Sequence, residues 1–298
     1  MRAVQFDGYG PPSVVHVAEV EEPHAGPGTI RIAVRASGLS AGEVRLRSGA
    51  LRETMPVPLP FRCGFDSAGV VDEIGSGVTG VRLGDPVFGW TSGRGANADH
   101  TVLDVWAPVP PDWSWAEAGG AAGSVETAVR VLDRLGVGAG QTVLIQGAAG
   151  ATGTVAVQMA VARGATVIGT AGEHNHDFLR TLGAQPVSYG LGLRDRIRGP
   201  VDAVVDCAGG ALPDLIAIAG DPARVITIAD LTAAAHGVHL SSGATDPLAA
   251  HALDLAVGLA AEGRLRIPVA AEFPLAEAAA AHVLSETRHA RGKIVLMH

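Results

Sequence analysis

The chain has 298 residues, a formal net charge of −8, 47% hydrophobic and 17% charged residues. This balance, without any run of Lys or Arg, argues against a nucleic-acid or anionic-membrane surface and against disorder. The length exceeds what one hydrophobic core ordinarily serves, so two domains and a small-molecule partner are expected. Aromatics are only 4% against 40 Gly, so the core must be Ala, Val, Leu and Ile packed around small residues, which suits an α/β sheet protein. Met1 to Phe6 enters a strand pattern at once, and no long uncharged apolar span follows. The expectation is a soluble, cytoplasmic protein. Cys63 and Cys207 are the only cysteines and lie far apart, so neither a disulfide framework nor a structural zinc knuckle is supported.

From Met1 to about Pro111, short runs such as Ile30 to Val34 and Ala68 to Val71 are broken by Gly and Pro, the texture of a small antiparallel, barrel-like domain. Between about Gln141 and Ser241, apolar strands alternate with Ala-rich helical stretches, as in a doubly wound parallel sheet. Its strands are predicted at Thr142 to Gln146, Thr166 to Gly169, Ala203 to Asp206 and Val225 to Ile228. An edge strand near Val238 to Leu240 follows. The tail reads as a helix from about Asp246 to Glu262, a strand near Val269 to Glu272, a helix near Ala276 to Glu286 and a last strand, Lys293 to Met297.

The strand ending at Gln146 runs into Gly147-Ala148-Ala149-Gly150-Ala151-Thr152-Gly153 and then a helix through Val155 to Ala162. Strand, small-residue turn and helix in this order suit a dinucleotide. Gly150 lets the backbone approach a pyrophosphate, Gly153 lets helix and strand pack closely, and the helix start offers unpaired N–H groups. The pattern is A-x-G-x-x-G, and tight packing without a ligand is its competing reading. The next strand ends at Thr170-Ala171-Gly172, where an NAD-preferring protein would carry an acidic residue for the ribose diol. Asn175 and His176 can donate to a 2′-phosphate, with Arg180 one turn further on, whereas Glu173 would oppose it. Equally open is an exposed helix start with Asn175 as N-cap.

With these segments in place, the chain resembles the medium-chain dehydrogenase/reductase superfamily over nearly its whole length. The motifs are Ala36-Ser37-Gly38-Leu39-Ser40, Cys63-Gly64-Phe65-Asp66-Ser67-Ala68-Gly69-Val70-Val71, Gly84-Asp85-Pro86-Val87-Phe88-Gly89 and Ala290-Arg291-Gly292-Lys293-Ile294-Val295-Leu296. The likeness implies a GroES-like β-barrel domain over residues 1–113, completed by 264–298, and a Rossmann doubly wound parallel-sheet domain over 114–263, with nicotinamide entering the cleft between them. Zinc-containing alcohol dehydrogenases of the superfamily carry Cys where Ser40 stands and His where Phe65 stands, so no metal is expected here. The run Gly64 to Val71 is instead similar to quinone oxidoreductases and related enone reductases.

By the same resemblance Ser40, in the place of an Asn near the nicotinamide, is the one catalytic candidate and also touches the cofactor. Thr127 would contact the nicotinamide and Tyr189 would lie beside the cofactor, with ordinary packing as the alternative for both. The turn residues Ala148, Ala149, Gly150, Ala151, Thr152 and Gly153 would hold the pyrophosphate, Ala151 and Thr152 replacing the usual glycine and valine. Gly172 stands where a Ser is common at a 2′-phosphate, with Asn175 and His176 after it. Glu43 follows a Gly and reads as a solvated surface group. The eleven His residues show no helical metal-ligand spacing.

These readings lead to NADPH-dependent reduction of a quinone or α,β-unsaturated carbonyl by a homodimer. Two alternatives stay open: an enoyl-thioester or secondary-metabolite tailoring reductase, and an NADPH-binding sensor or scaffold with little turnover.

Overall fold

Along Ile30–Leu39 the side chains of Ile30, Ile32 and Val34 are buried while their neighbours are more open, the period-two signature of a strand with one face in the core. This strand is the hub of a seven-stranded sheet in a computed structural model that describes residues 1–298. It pairs antiparallel with Asp66–Ile74, His100–Leu103 and Lys293–Met297. Pro86–Trp90 and Val105–Pro108 continue the sheet on one side, and Val269–Pro274 runs parallel to Lys293–Met297 on the other. A smaller sheet joins Val15–Glu19, Arg2–Phe6 and Phe61–Arg62. Ile30, Ile32, Val71, Val87 and Leu103 fill one core of this unit, and Phe6, Phe61, Leu46 and Leu296 belong to another. The unit comprises Met1–Gly123, Leu253–Ala261 and Arg266–His298.

The second unit comprises Ser124–Ala252 and Glu262–Leu265. Its sheet is wholly parallel, in the spatial order Gln185–Val187, Thr166–Thr170, Thr142–Gln146, Ala203–Asp206, Val225–Thr227, His239–Leu240. Numbered along the chain from Thr142, this is 3-2-1-4-5-6, the Rossmann order. The strand order reverses between Thr142–Gln146 and Ala203–Asp206, and ligands of such sheets bind beyond the carboxyl ends at that point. Val143, Leu144 and Ile145 are fully buried, as a strand covered on both faces requires.

Two elements depart from their expected form. The tail helix begins at Ala252 instead of Asp246, because Pro247 interrupts the chain, the Asp246 side chain binds Ser241 and His239, and the Ala249 N–H donates to Glu126. Glu173–Asn175 is a separate 3₁₀ turn, and Asn175 offers no side-chain cap to the helix His176–Thr181. Its amide lies instead 3.1 Å from His174 Nε2. No helix is long and apolar enough to cross a membrane.

Candidate active site

In the second unit the Thr142–Gln146 strand ends at Gly147, whose φ of +71° lies where side chains are disfavoured. Gly147 therefore supplies the tight turn, one position before Ala148, where the A-x-G-x-x-G reading begins. The Gly147 N–H donates to Thr170 Oγ1 at 3.2 Å, and the Ala148 N–H to the Thr170 carbonyl at 3.0 Å. Turn and neighbouring strand tip are thus held side by side. A Cβ on Gly153 would lie 2.2 Å from the Gly147 carbonyl oxygen, so close helix–strand approach demands glycine there. At Gly150 a Cβ would meet only that same oxygen, at 3.4 Å, which leaves its outer side open.

The helix Ala151–Ala162 has Gly150 as N-cap and no side-chain cap. Thr154 N–H takes the Gly150 carbonyl at 2.9 Å, so the N–H groups of Ala151, Thr152 and Gly153 have no acceptor within the helix. Such N–H groups can cradle an anion, and the chain's residues fit a dinucleotide pyrophosphate. Ala148 and Ala149 are buried, so they can contribute only backbone to it. Beside them, Ala171 N–H reaches the Val187 carbonyl at 3.1 Å, which brings the Gly172 tip and the Tyr189 segment to the same end of the sheet. Tyr189 is 63% exposed. No carboxylate stands at Thr170, Ala171 or Gly172, while His176 Nε2 lies 3.4 Å from the Ala171 carbonyl. Arg180 is paired with Asp177.

Thr127 lies on Ala121–Arg134, and its hydroxyl donates to Glu126 at 3.2 Å. Glu126 is a buried carboxylate paired with buried Arg130, whose guanidinium also reaches Ser241. Sequence reasoning did not find this network. Its members are 111 residues apart in the case of Arg130 and Ser241.

In the first unit Ser40 is the N-cap of Ala41–Ser48, its Oγ accepting the Glu43 N–H at 3.1 Å. Glu43 is not a surface group. It is 2% exposed, and its carboxylate accepts the Gly64 N–H at 2.7 Å and a hydrogen bond from the Cys63 thiol. Burial raises its pKa, against the opposing pull of those hydrogen bonds and of Arg94. The Cys63 thiol is likewise pushed up, by burial and then by Glu43. Phe65 stacks on Trp90, with ring centroids 6.2 Å apart and planes 9° from parallel.

Below this cluster, buried Lys293 and Asp66 form an ion pair at 3.1 Å, and the Gly123 N–H donates to the same carboxylate at 3.0 Å. Gly38 and Gly120 make room for the pair: a Cβ on either would come within 2.6 Å of it. Ser40 and Phe65 do not fit a zinc ion. Phe65 has no donor atom, and nowhere do three His, Cys, Asp or Glu side chains converge as a metal would require.

A mainly antiparallel unit and a Rossmann sheet with a glycine-containing turn after its first strand are the fold of two-domain, nicotinamide-dependent oxidoreductases. The alcohol dehydrogenase GroES-like domain matches residues 26–135 and the zinc-binding dehydrogenase domain residues 177–296. The chloroplastic quinone-oxidoreductase QR1 of Triphysaria versicolor is 31% identical over 325 aligned positions, covering 99% of this chain and 98% of that protein. The spectinabilin polyketide synthase system protein NorB of Streptomyces orinoci is 40% identical over 161 residues, 53% of this chain but only 7% of that much longer protein. Among solved structures, the quinone oxidoreductase from Coxiella burnetii superposes with a TM-score of 0.85 at 29% identity, covering 100% of this chain and 99% of that one. The chain belongs to the medium-chain dehydrogenase/reductase superfamily, in its quinone oxidoreductase-like branch.

Proposed function

We propose that the protein reduces a quinone or an α,β-unsaturated carbonyl with NADPH and without a metal ion. The observation that carries this reading is the pair of residues at the positions of the expected zinc ligands, a helix-capping Ser40 and a Phe65 stacked on Trp90. The bound cofactor supplies a hydride to the acceptor. Ser40 Oγ accepts from Glu43 N–H, so its own O–H is free to donate to the oxygen on which charge develops. The half-buried Phe65 ring, backed by the buried Trp90, offers an apolar surface to a planar acceptor. In the other unit, the unsatisfied N–H groups of Ala151, Thr152 and Gly153 hold the pyrophosphate. The strand tip through Gly172 presents no carboxylate to repel a 2′-phosphate, and Asn175 and His176 follow it. One charge-assisted hydrogen bond there, about 1.5–3 kcal/mol, corresponds to a preference for NADPH of roughly tenfold to a hundredfold.

The similarity to a stretch of NorB, a polyketide synthase system protein, favours an enoyl thioester as the second reading of the acceptor. Cofactor oxidation across a panel of quinones, enones and enoyl thioesters, each with NADPH and NADH, separates these readings. Turnover of quinones or enones with kcat/KM at least tenfold higher for NADPH is expected, rising further in Glu173→Gln if that carboxylate faces the phosphate. Equal use of NADH refutes the cofactor assignment. Tight NADPH binding with no turnover of any acceptor refutes the reductase and leaves a binding protein.

A further inference from the structure

Arg94 has a φ of +67°, a left-handed backbone that its Cβ disfavours and that glycine would adopt freely. The turn is held in place from both ends. Gly95 and Ala96 N–H groups both donate to the Gly64 carbonyl, at 3.0 and 3.3 Å, and Thr91 N–H donates to the Phe65 carbonyl at 3.0 Å. The strained residue is therefore anchored to the Gly64-Phe65 backbone, beside the candidate acceptor site. Strain retained in a well-tied turn calls for a use of the side chain it presents.

That side chain is an exposed guanidinium whose central carbon lies 5.9 Å from the ring centroids of both Phe61 and Phe65. The two rings orient the cation without using its N–H donors. It forms no ion pair, unlike Arg31, Arg47 and Arg130 of the same chain, each of which sits on a carboxylate. The nearby Glu43 carboxyl is buried and already engaged by Gly64 and Cys63. A planar fork of donors, oriented by aromatic faces and lacking a protein acceptor, matches a carboxylate presented by a ligand.

We propose that Arg94 is a specificity-determining residue that selects a planar acceptor bearing a carboxylate, with the guanidinium on the carboxylate and the apolar plane against Phe65. This rests on the reading that the Ser40–Phe65 region receives the acceptor. The step proposed is recognition only, so the reaction's balance of hydride and proton is unchanged.

The test is calorimetric binding to the full chain with NADP⁺ present, comparing 1,4-naphthoquinone-2-carboxylate with its methyl ester. The unmodified protein is expected to bind the carboxylate at least tenfold more tightly, about 1.4 kcal/mol. Arg94→Gln should raise the Kd of the carboxylate about tenfold and leave that of the ester within twofold, with Arg94→Lys between. Thermal melting of each variant checks that the fold is intact. Carboxylate binding no tighter than ester binding, or an Arg94→Gln variant that weakens both ligands equally, overturns the proposal. Because binding is read without turnover, the two proposals fail separately. Arg94-dependent binding with no reduction of any acceptor removes the reductase alone. Reduction of quinones or enones by a protein whose carboxylate binding is unchanged in Arg94→Gln removes this inference alone.

Discussion

Helix Ala278–Glu286 buries His282 completely, and neither ring nitrogen has a hydrogen-bond partner. Burial, and then the Arg47 guanidinium, hold its pKa down to about 4, against the opposing pull of Glu286. A depressed histidine pKa means that the unfolded chain binds the proton first. His282 thus contributes stability that is complete above its ordinary value of 6.5 and is lost as pH falls through about 4. At about 1.4 kcal/mol per pH unit, the gap amounts to roughly 3 kcal/mol as an upper bound. His282→Leu replaces the ring by an apolar side chain that cannot titrate. Urea unfolding of both proteins between pH 7.5 and 4 should show the variant gaining on the unmodified chain as pH falls, by up to about 3 kcal/mol. Parallel stability curves across that window would refute the reasoning, whatever their vertical separation.

Lys293→Met strands the buried Asp66 carboxylate with only the Gly123 N–H, and should cost about 3–5 kcal/mol in denaturant unfolding. Adding Asp66→Asn should restore most of it, and a double variant as unstable as the single one counts against an electrostatic origin. Glu43 has a pKa raised by burial, so its contribution is present at low pH and is lost as pH rises through that pKa. Glu43→Gln should therefore improve relative to the unmodified protein between pH 4 and 7, and a pH-independent difference would contradict this. Metal analysis of purified protein should find no stoichiometric zinc and chelator-resistant activity; one tightly held zinc per chain with activity lost on its removal would overturn the metal-free reading. The edge strand His239–Leu240 pairs only with Val225–Thr227, so light scattering should report a homodimer, and a monomer at micromolar concentration removes that expectation.

The four inner strands of the parallel sheet were readable because each is a short apolar run covered on both faces, and Thr142–Gln146 and Ala203–Asp206 have the expected ends. Features set by distant partners were not readable. Asp66 and Lys293 are 227 residues apart, and nothing local marks them as a pair. The tail helix loses its first turn to contacts with Glu126, more than a hundred positions earlier in the chain. Gly147 was hidden for a different reason: a motif counts glycines but carries no φ, and the positive φ falls one residue outside the pattern.

Glu43 is the most instructive misreading, because its local sequence, Ala41-Gly42-Glu43, does resemble an exposed helix start. Its burial is imposed by Cys63 and Gly64, which sit against its carboxyl. The same residue binds two parts of the site at once, since its backbone N–H fixes Ser40 Oγ while its carboxylate fixes Gly64 N–H. Gly64 has a φ of +100°, and a Cβ there would lie 2.2 Å from the Asn97 nitrogen, so this backbone cannot relax toward an ordinary conformation. Gly64 in turn accepts from Gly95 and Ala96, the residues that anchor Arg94. Ser40 and Gly64 are thus held in fixed relation through a single buried residue, Glu43, and the turn that carries Arg94 is tied to the same backbone.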